Sequence, residues 1–331
     1  FSYVSKNPYF MYSSDVPWGL FAQKRNWFSP SFYRLISEIL RFNHQASFDI
    51  TSNTELPDTL GNYLNRHKFS DSLIRYYVIP MGSAIWSASF DETMAMPTHT
   101  FLHFWRNHGL LQVSNRPSWY TIKGGSRTYV NAIINKLPNV SLNNAATSIT
   151  RFDNGVRIQT EDNQECFCDY VVIATHANEA LALLENPTDD EKRLLGAWSY
   201  STNHTLFHTD PSQLPPKKQC WASWNYLQTS QQNDSPVSVS YYMNRLQSLQ
   251  SKTPYIVTLN PQSPIPDPHI IKDLTYTHPC FNKTSIATQK ELPSLNNKHH
   301  TFFCGSYFKY GFHEDAACSG ADIAKQFGIT F

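Results

Sequence analysis

The run Tyr170-Val171-Val172-Ile173-Ala174 constrains the fold more than any other stretch of the chain. It offers no polar face, so a strand here is predicted to be buried on both sides, as in a parallel sheet covered by helices. A second run, Thr301-Phe302-Phe303-Cys304, stops at Gly305 and leads through an aromatic loop to a helix start. The two strands are expected in one sheet. Glu314 and Asp315 supply the cap and first-turn carboxylates, and Ala317, Gly320, Ala321 and Ala324 recur at helical spacing as a face of small side chains. Such a face admits another backbone or a flat ligand at close range, and helix N-terminal amides carry partial positive charge. Two readings fit the pattern: a strand and helix docked by small residues, or a seat for a phosphate or a flat ring.

The rest of the chain changes texture twice. Residues 1–5 and 9–12 alternate like a hairpin. Ser29-Pro30-Ser31 is a helix start, after which Phe32, Leu35, Ile36, Ile39, Leu40 and Phe42 form an apolar face with Arg34, Glu38 and Arg41 turned away. Further helices are predicted at 58–67, 71–79 and 98–108, with a break at 80–86 where Pro80, Gly82, Ser83 and Ala84 crowd together. After Gly109 a strand is predicted at 119–122, then a helix bearing Tyr129, Ile133, Ile134 and Leu137. Strands at 140–142, 145–152, 156–160 and 166–174 follow, turning at Asp153-Asn154-Gly155 and Glu161-Asp162-Asn163. Helices are expected at 178–184 and 189–195, then strands at 202–208, 220–226, 237–242, 255–259 and 269–276 in a second, antiparallel sheet. Residues 228–235 read as a loop.

Composition narrows the partners. Lysine plus arginine (27) nearly balances aspartate plus glutamate (26), which leaves no footprint for nucleic acid or anionic lipid. No uncharged stretch nears the roughly 18 residues of a membrane span and no leader is seen, so a cytoplasmic location is expected. Cys166 and Cys168 share a strand face without a second pair at zinc-ribbon spacing, so reduced thiols and no metal are expected. No nucleophile elbow, Walker loop or HExxH occurs.

The run Gly305-Ser306-Tyr307-Phe308-Lys309-Tyr310-Gly311-Phe312-His313-Glu314-Asp315 resembles the C-terminal FAD signature of the bacterial NAD/FAD-binding group in the flavin-containing amine oxidase superfamily. Ile79-Pro80-Met81-Gly82-Ser83-Ala84-Ile85-Trp86-Ser87, Trp119-Tyr120-Thr121-Ile122-Lys123-Gly124-Gly125-Ser126, Ala222-Ser223-Trp224-Asn225-Tyr226 and Tyr241-Tyr242-Met243-Asn244-Arg245-Leu246-Gln247 resemble the same group in the same order. The likeness implies an α/β (mixed α+β) flavoprotein. Its FAD-binding Rossmann-like domain would be assembled from residues 110–180 and 295–331. A substrate domain of antiparallel sheet and helices would take 1–109 and 181–294. Members of the group open with a strand–Gly-x-Gly-x-x-Gly–helix unit, and that fingerprint does not occur here, while residue 1 already sits in a strand. The Rossmann-like domain is therefore expected to be incomplete. The isolated chain should hold FAD weakly or not at all, with the missing FAD unit carried either by a separate chain or by a stretch outside this sequence.

The resemblance assigns Gly124, Gly125, Ala146, Gly305, Ser306, Gly311, Glu314 and Asp315 to the cofactor, and Trp86, Tyr307, Phe308 and Tyr310 to the substrate pocket. His313 is the candidate for a catalytic part, and Lys309 and Ala316 stand where the group has glycine. Plain alternatives stay open: Gly124-Gly125 with Ser126 as an ordinary helix start, Glu314 as a cap only, and the aromatic helices as core. The implied function is hydride transfer to flavin from a largely apolar small molecule or lipid, such as a fatty acyl or isoprenoid chain, with peripheral membrane contact among the partners considered. Arg75, Arg106 and Arg127 are the residues that would overturn this by pointing into the cavity. Two other classes also fit: a non-catalytic remnant binding a hydrophobic ligand, and a structural or interaction subunit pairing through a sheet edge.

Overall fold

A computed structural model describes residues 1–15, 17–52, 54–113, 117–228 and 237–329. Apart from Gln228, the expected loop at 228–235 lies outside the described residues. Along the chain the strands are β1 (Ser2–Lys6), β2 (Tyr9–Ser13), β3 (Ala146–Phe152), β4 (Gly155–Thr160), β5 (Glu165–Cys168), β6 (Val171–Ile173), β7 (Tyr200–His208), β8 (Trp224–Gln228), β9 (Val239–Tyr242), β10 (Ile256–Leu259), β11 (Ile270–Pro279) and β12 (Thr301–Phe303). The chain divides into two compact units, Phe1–Val130 with Ser201–His278, and Asn131–Tyr200 with Pro279–Phe331.

In the first unit a seven-stranded sheet runs in the order β11-β7-β10-β9-β8-β1-β2. β1 and β2 form the expected hairpin, Val4 opposite Met11. β8–β9, β9–β10 and β7–β10 are antiparallel as the sequence suggests, but β1 joins β8 in parallel, Tyr3 opposite Tyr226. That pairing joins segments far apart in the chain, where local patterning carries no signal. A row of polar residues crosses the sheet, Ser2, Asn225, Ser240 and Thr258 standing opposite one another and fully buried. Ser2 Oγ donates to Asn225 Oδ1 at 2.7 Å and Asn225 Nδ2 to the Ser240 carbonyl at 2.9 Å, while Ser240 Oγ and Thr258 Oγ1 lie 2.8 Å apart. The row ends at His208, whose Nδ1 accepts from the Asp210 amide at 3.1 Å. The neutral ring then carries its proton on Nε2 and donates to Thr258 Oγ1 at 2.8 Å. Burial pushes the His208 imidazole down to about 4.

The helices of this unit follow the sequence closely at their starts. Ser29 accepts from the Phe32 amide, Pro30 opens the Pro30–Thr51 helix, and Phe32, Leu35, Phe42, Ala46 and Ile50 are buried along it. Its buried Asp49 takes the Tyr63 hydroxyl at 2.8 Å and Gln45 Nε2 at 2.9 Å. The Thr98–Asn107 helix sets Trp105 against Phe42, Tyr77 and Phe101. The expected break at 80–86 does not occur: a π-helical turn, Ile74–Val78, runs straight into a helix, Ile79–Trp86. Pro80 has no N–H for the Tyr76 carbonyl one turn back, and the Tyr12 hydroxyl donates there instead at 2.7 Å.

The second unit holds two small sheets. β3, β4 and β5 form an antiparallel meander, with Ile149 opposite Ile158 and Ile158 opposite Cys166. The strand expected at 166–174 is thus two strands: β5 belongs to the meander, and β6 pairs in parallel with β12, Val172 opposite Phe302. The two apolar runs do share a sheet, but burial on both sides is only half realised. Val171 and Ile173 are buried whereas Val172 is 47% exposed, because Phe327 and Tyr170 cover this face over Phe302 on β12 and not over β6. Residues 119–122 and 140–142, expected as strands, have no regular secondary structure. The Arg127–Ile134 helix forms where its spacing predicts and buries none of its residues. Arg151 on β3 pairs with Glu191 of the Asp189–Gly196 helix, and both side chains are buried. Burial alone would raise the Glu191 carboxyl, but Arg151 and the Thr188 amide hold it below the usual carboxylate range. Among the described residues no helix is long and apolar enough to cross a membrane.

Candidate functional site

The site grows out of β12. Its side chains are buried, and the Cys304 amide continues the ladder to the Ile173 carbonyl at 3.1 Å. The chain leaves the sheet at Gly305, whose amide donates to Ser319 Oγ at 2.9 Å from the helix that follows. Tyr307 folds back so closely that a Cβ at position 305 would lie 2.6 Å from its ring. Gln289 Nε2 holds the turn by donating to the Tyr307 carbonyl at 3.0 Å. Gly311 needs to be glycine on two counts: its φ is +97°, and a Cβ would meet the Phe281 ring at 2.9 Å. The His313–Gln326 helix begins two residues later. Asp315 Oδ2 accepts from the Phe312 amide at 3.0 Å, and Glu314 Oε1 accepts from Cys318 Sγ at 3.4 Å.

One feature leaves room for a ligand, and a second would gain from a polar partner. A Cβ added at Gly320, on the small-residue face of the helix, would meet nothing within 4 Å. Tyr307 is 1% exposed, yet its hydroxyl has no hydrogen-bond partner among the described residues, an arrangement that costs about 1–3 kcal/mol until a donor or acceptor arrives. Burial raises this phenol well above its ordinary value, so it stays neutral. Glu314 and Asp315 already answer the positive end of the helix, so a further anion is disfavoured there, whereas hydroxyl groups or an uncharged ring edge are well matched.

Gly305, Ser306, Tyr307, Phe308, Tyr310, Gly311, His313, Glu314 and Asp315 come together in this loop and first helical turn. Tyr307 sits against Trp198 and Phe308, while His313 and Glu314 are exposed. Ala146 opens β3 in the same unit, opposite Thr160 and next to a shift in register. Gly124, Gly125 and Trp86 belong to the first unit. The two glycines have φ of +84° and +80° in the turn before the Arg127–Ile134 helix, and Trp86 is buried beside Phe101 and Phe104. Sequence reasoning missed Ser319, Gln289 and Phe281, which shape the loop through the Gly305 amide, the Tyr307 and Lys309 carbonyls and the space beside Gly311.

A family model for flavin containing amine oxidoreductases matches residues 33–252, well over half of the chain. The chain belongs to that family. The match stops short of the strand–glycine–helix element, so the candidate site rests on its own geometry. No curated protein matches in sequence. Among solved structures, a CLA-producing fatty acid isomerase from P. acnes superposes with a TM-score of 0.61 at 14% identity, covering 99% of this chain and 79% of that one. A putrescine oxidase double mutant gives 0.59 at 10% identity, covering 99% and 81%. Reduced UDP-galactopyranose mutase gives 0.58 at 14%, covering 90% and 72%. At these identities the likeness concerns the fold.

Proposed function

We propose that this amine oxidoreductase family member is a flavin-dependent oxidoreductase whose β12–Gly305–helix element holds the ribityl or ring end of FAD, and that its substrate is largely apolar. The observation that carries the reading is the open space over Gly320, on the helix whose first-turn carboxylates favour hydroxyl and N–H donors over anions. FAD, when bound, supplies the acceptor for a hydride. The chain's own part is to position it: Asp315 and Glu314 accept hydrogen bonds, Ser319 fixes Gly305, and the neutral Tyr307 hydroxyl offers a donor in a dry setting. The same residues do not fit the pyrophosphate, for which two first-turn carboxylates are the wrong charge. Tight binding in this proposal relies on a phosphate-binding element other than this helix start.

The fold does not choose the substrate, since its neighbours are named for a fatty acid and for putrescine. Support for an apolar one comes from the residues. Arg75 is paired with Asp71 at 2.9 Å, Arg106 leans on His103 at 3.3 Å, and the helical layer is faced with Phe42, Tyr77, Phe101 and Trp105. The test is anaerobic mixing of the FAD-loaded protein with acyl lipids or with polyamines. Bleaching of the flavin band by acyl lipids is expected. Bleaching by polyamines alone contradicts the apolar substrate, and bleaching by neither contradicts the oxidoreductase.

A further inference from the structure

Within the first unit, the β1–β2 hairpin, the start of the Pro30–Thr51 helix and Tyr76 surround a cavity of about 330 Å³, at the lower end of the usual range for small-ligand sites. Its walls are rings. Phe10 lies edge-on to Phe32 at 6.0 Å and 5.3 Å from Tyr76, with Leu35 completing the apolar lining. Arg25 is the only charged residue of the lining and is exposed, as is Ser72, while the buried Asn26 donates its Nδ2 to the Met11 carbonyl at 3.2 Å. Elsewhere in this unit Arg41, Arg75 and Arg245 each hold a carboxylate, Glu38, Asp71 and Asp15 respectively. Arg25 has no such partner among the described residues. An aromatic slot with a single unanswered guanidinium at its mouth matches one kind of ligand: a flat apolar body ending in one carboxylate. A guanidinium takes a carboxylate through two parallel hydrogen bonds, whereas an amine is repelled and a dianion keeps one charge unanswered.

We propose that this cavity binds an aromatic monocarboxylate, its carboxylate on Arg25 and its ring among Phe10, Phe32 and Tyr76. The site stands apart from the flavin reading, because it lies wholly within the first unit and its test is binding alone.

Phenylacetate is the probe, titrated calorimetrically into the protein beside the neutral phenylacetamide. Saturable binding of the acid, tighter than that of the amide, is expected. Arg25→Gln should weaken the acid about tenfold or more while leaving the amide unchanged. Ser72→Trp, which plugs the rim from an exposed position, should remove both. Both substituted residues are exposed, so melting temperatures are expected to stay at the unsubstituted value. A second cavity of about 850 Å³ carries Lys218 and Lys252 beside Trp221 and Tyr242, and serves as the control. Binding lost in Lys218→Gln or Lys252→Gln and retained in Arg25→Gln would overturn the assignment. So would equal affinity for acid and amide, or no saturable binding of phenylacetate.

Discussion

The seven-stranded sheet of the first unit and the β6–β12 pair of the second differ in one row of side chains. Across β1, β8, β9 and β10 the buried row is Ser2, Asn225, Ser240 and Thr258, and each member is hydrogen-bonded to a neighbouring strand. Across β6 and β12 the row is Val172 and Phe302, which contribute only apolar contact and leave Val172 half open. Burial of a polar side chain is tolerated when register brings every donor to an acceptor, and a neighbour shifted by one residue would leave the whole row unsatisfied. The apolar pair has no such requirement and tolerates an uncovered strand. The first sheet is specified by its register, the second by its greasiness.

Substitutions can break that contrast. The largest effect is expected for Phe302→Ala, about 4 kcal/mol in urea unfolding, because the ring is buried against Tyr170 and Phe327. Asn225→Ala should follow at about 3 kcal/mol, since it strips partners from Ser2, from the Ala222 amide and from the Ser240 carbonyl without opening a large cavity. If Asn225→Leu, of similar volume, proved neutral, the hydrogen-bonded row would not be what holds the first sheet.

Proton uptake sharpens the same point. His208 is neutral when folded, with its imidazole at about 4 against 6.5 when exposed, so the unfolded chain takes up the proton first. The stability it contributes is therefore complete above about pH 6.5 and is lost as pH falls towards 4, by about 3 kcal/mol. His208→Gln should flatten that part of the stability profile, and an unchanged profile would assign the pH dependence to other groups. The smallest effect is expected at Val172→Thr, within about 0.5 kcal/mol, because its side chain is already half in water.

The contrast also explains what could be read in the sequence. Continuous apolar runs announced β6 and β12 and their common sheet, since apolarity needs no knowledge of the partner. The helix starts at Ser29 and Asp315 were legible for a similar reason: caps act within three residues. The polar row was illegible, because Ser, Asn and Thr in a strand look solvent-facing until the register is known. The helix through Pro80 was missed because its relief, the Tyr12 hydroxyl on the Tyr76 carbonyl, comes from another element. At the candidate site the glycines and acidic residues of 305–315 were visible as a motif, while Ser319, Gln289 and Phe281 were set by tertiary contact alone.

The central claim is that the small face of the His313–Gln326 helix seats a flavin. Gly320→Leu tests it most directly, because a side chain there enters open space and replaces glycine in a helix, which should leave folding intact or improve it by up to about 1 kcal/mol. FAD fluorescence is titrated with the unsubstituted protein and with the variant. The account predicts weak, saturable quenching by the first and none by the second at equal or higher melting temperature. Equal quenching by both, or none by the unsubstituted protein, would contradict it.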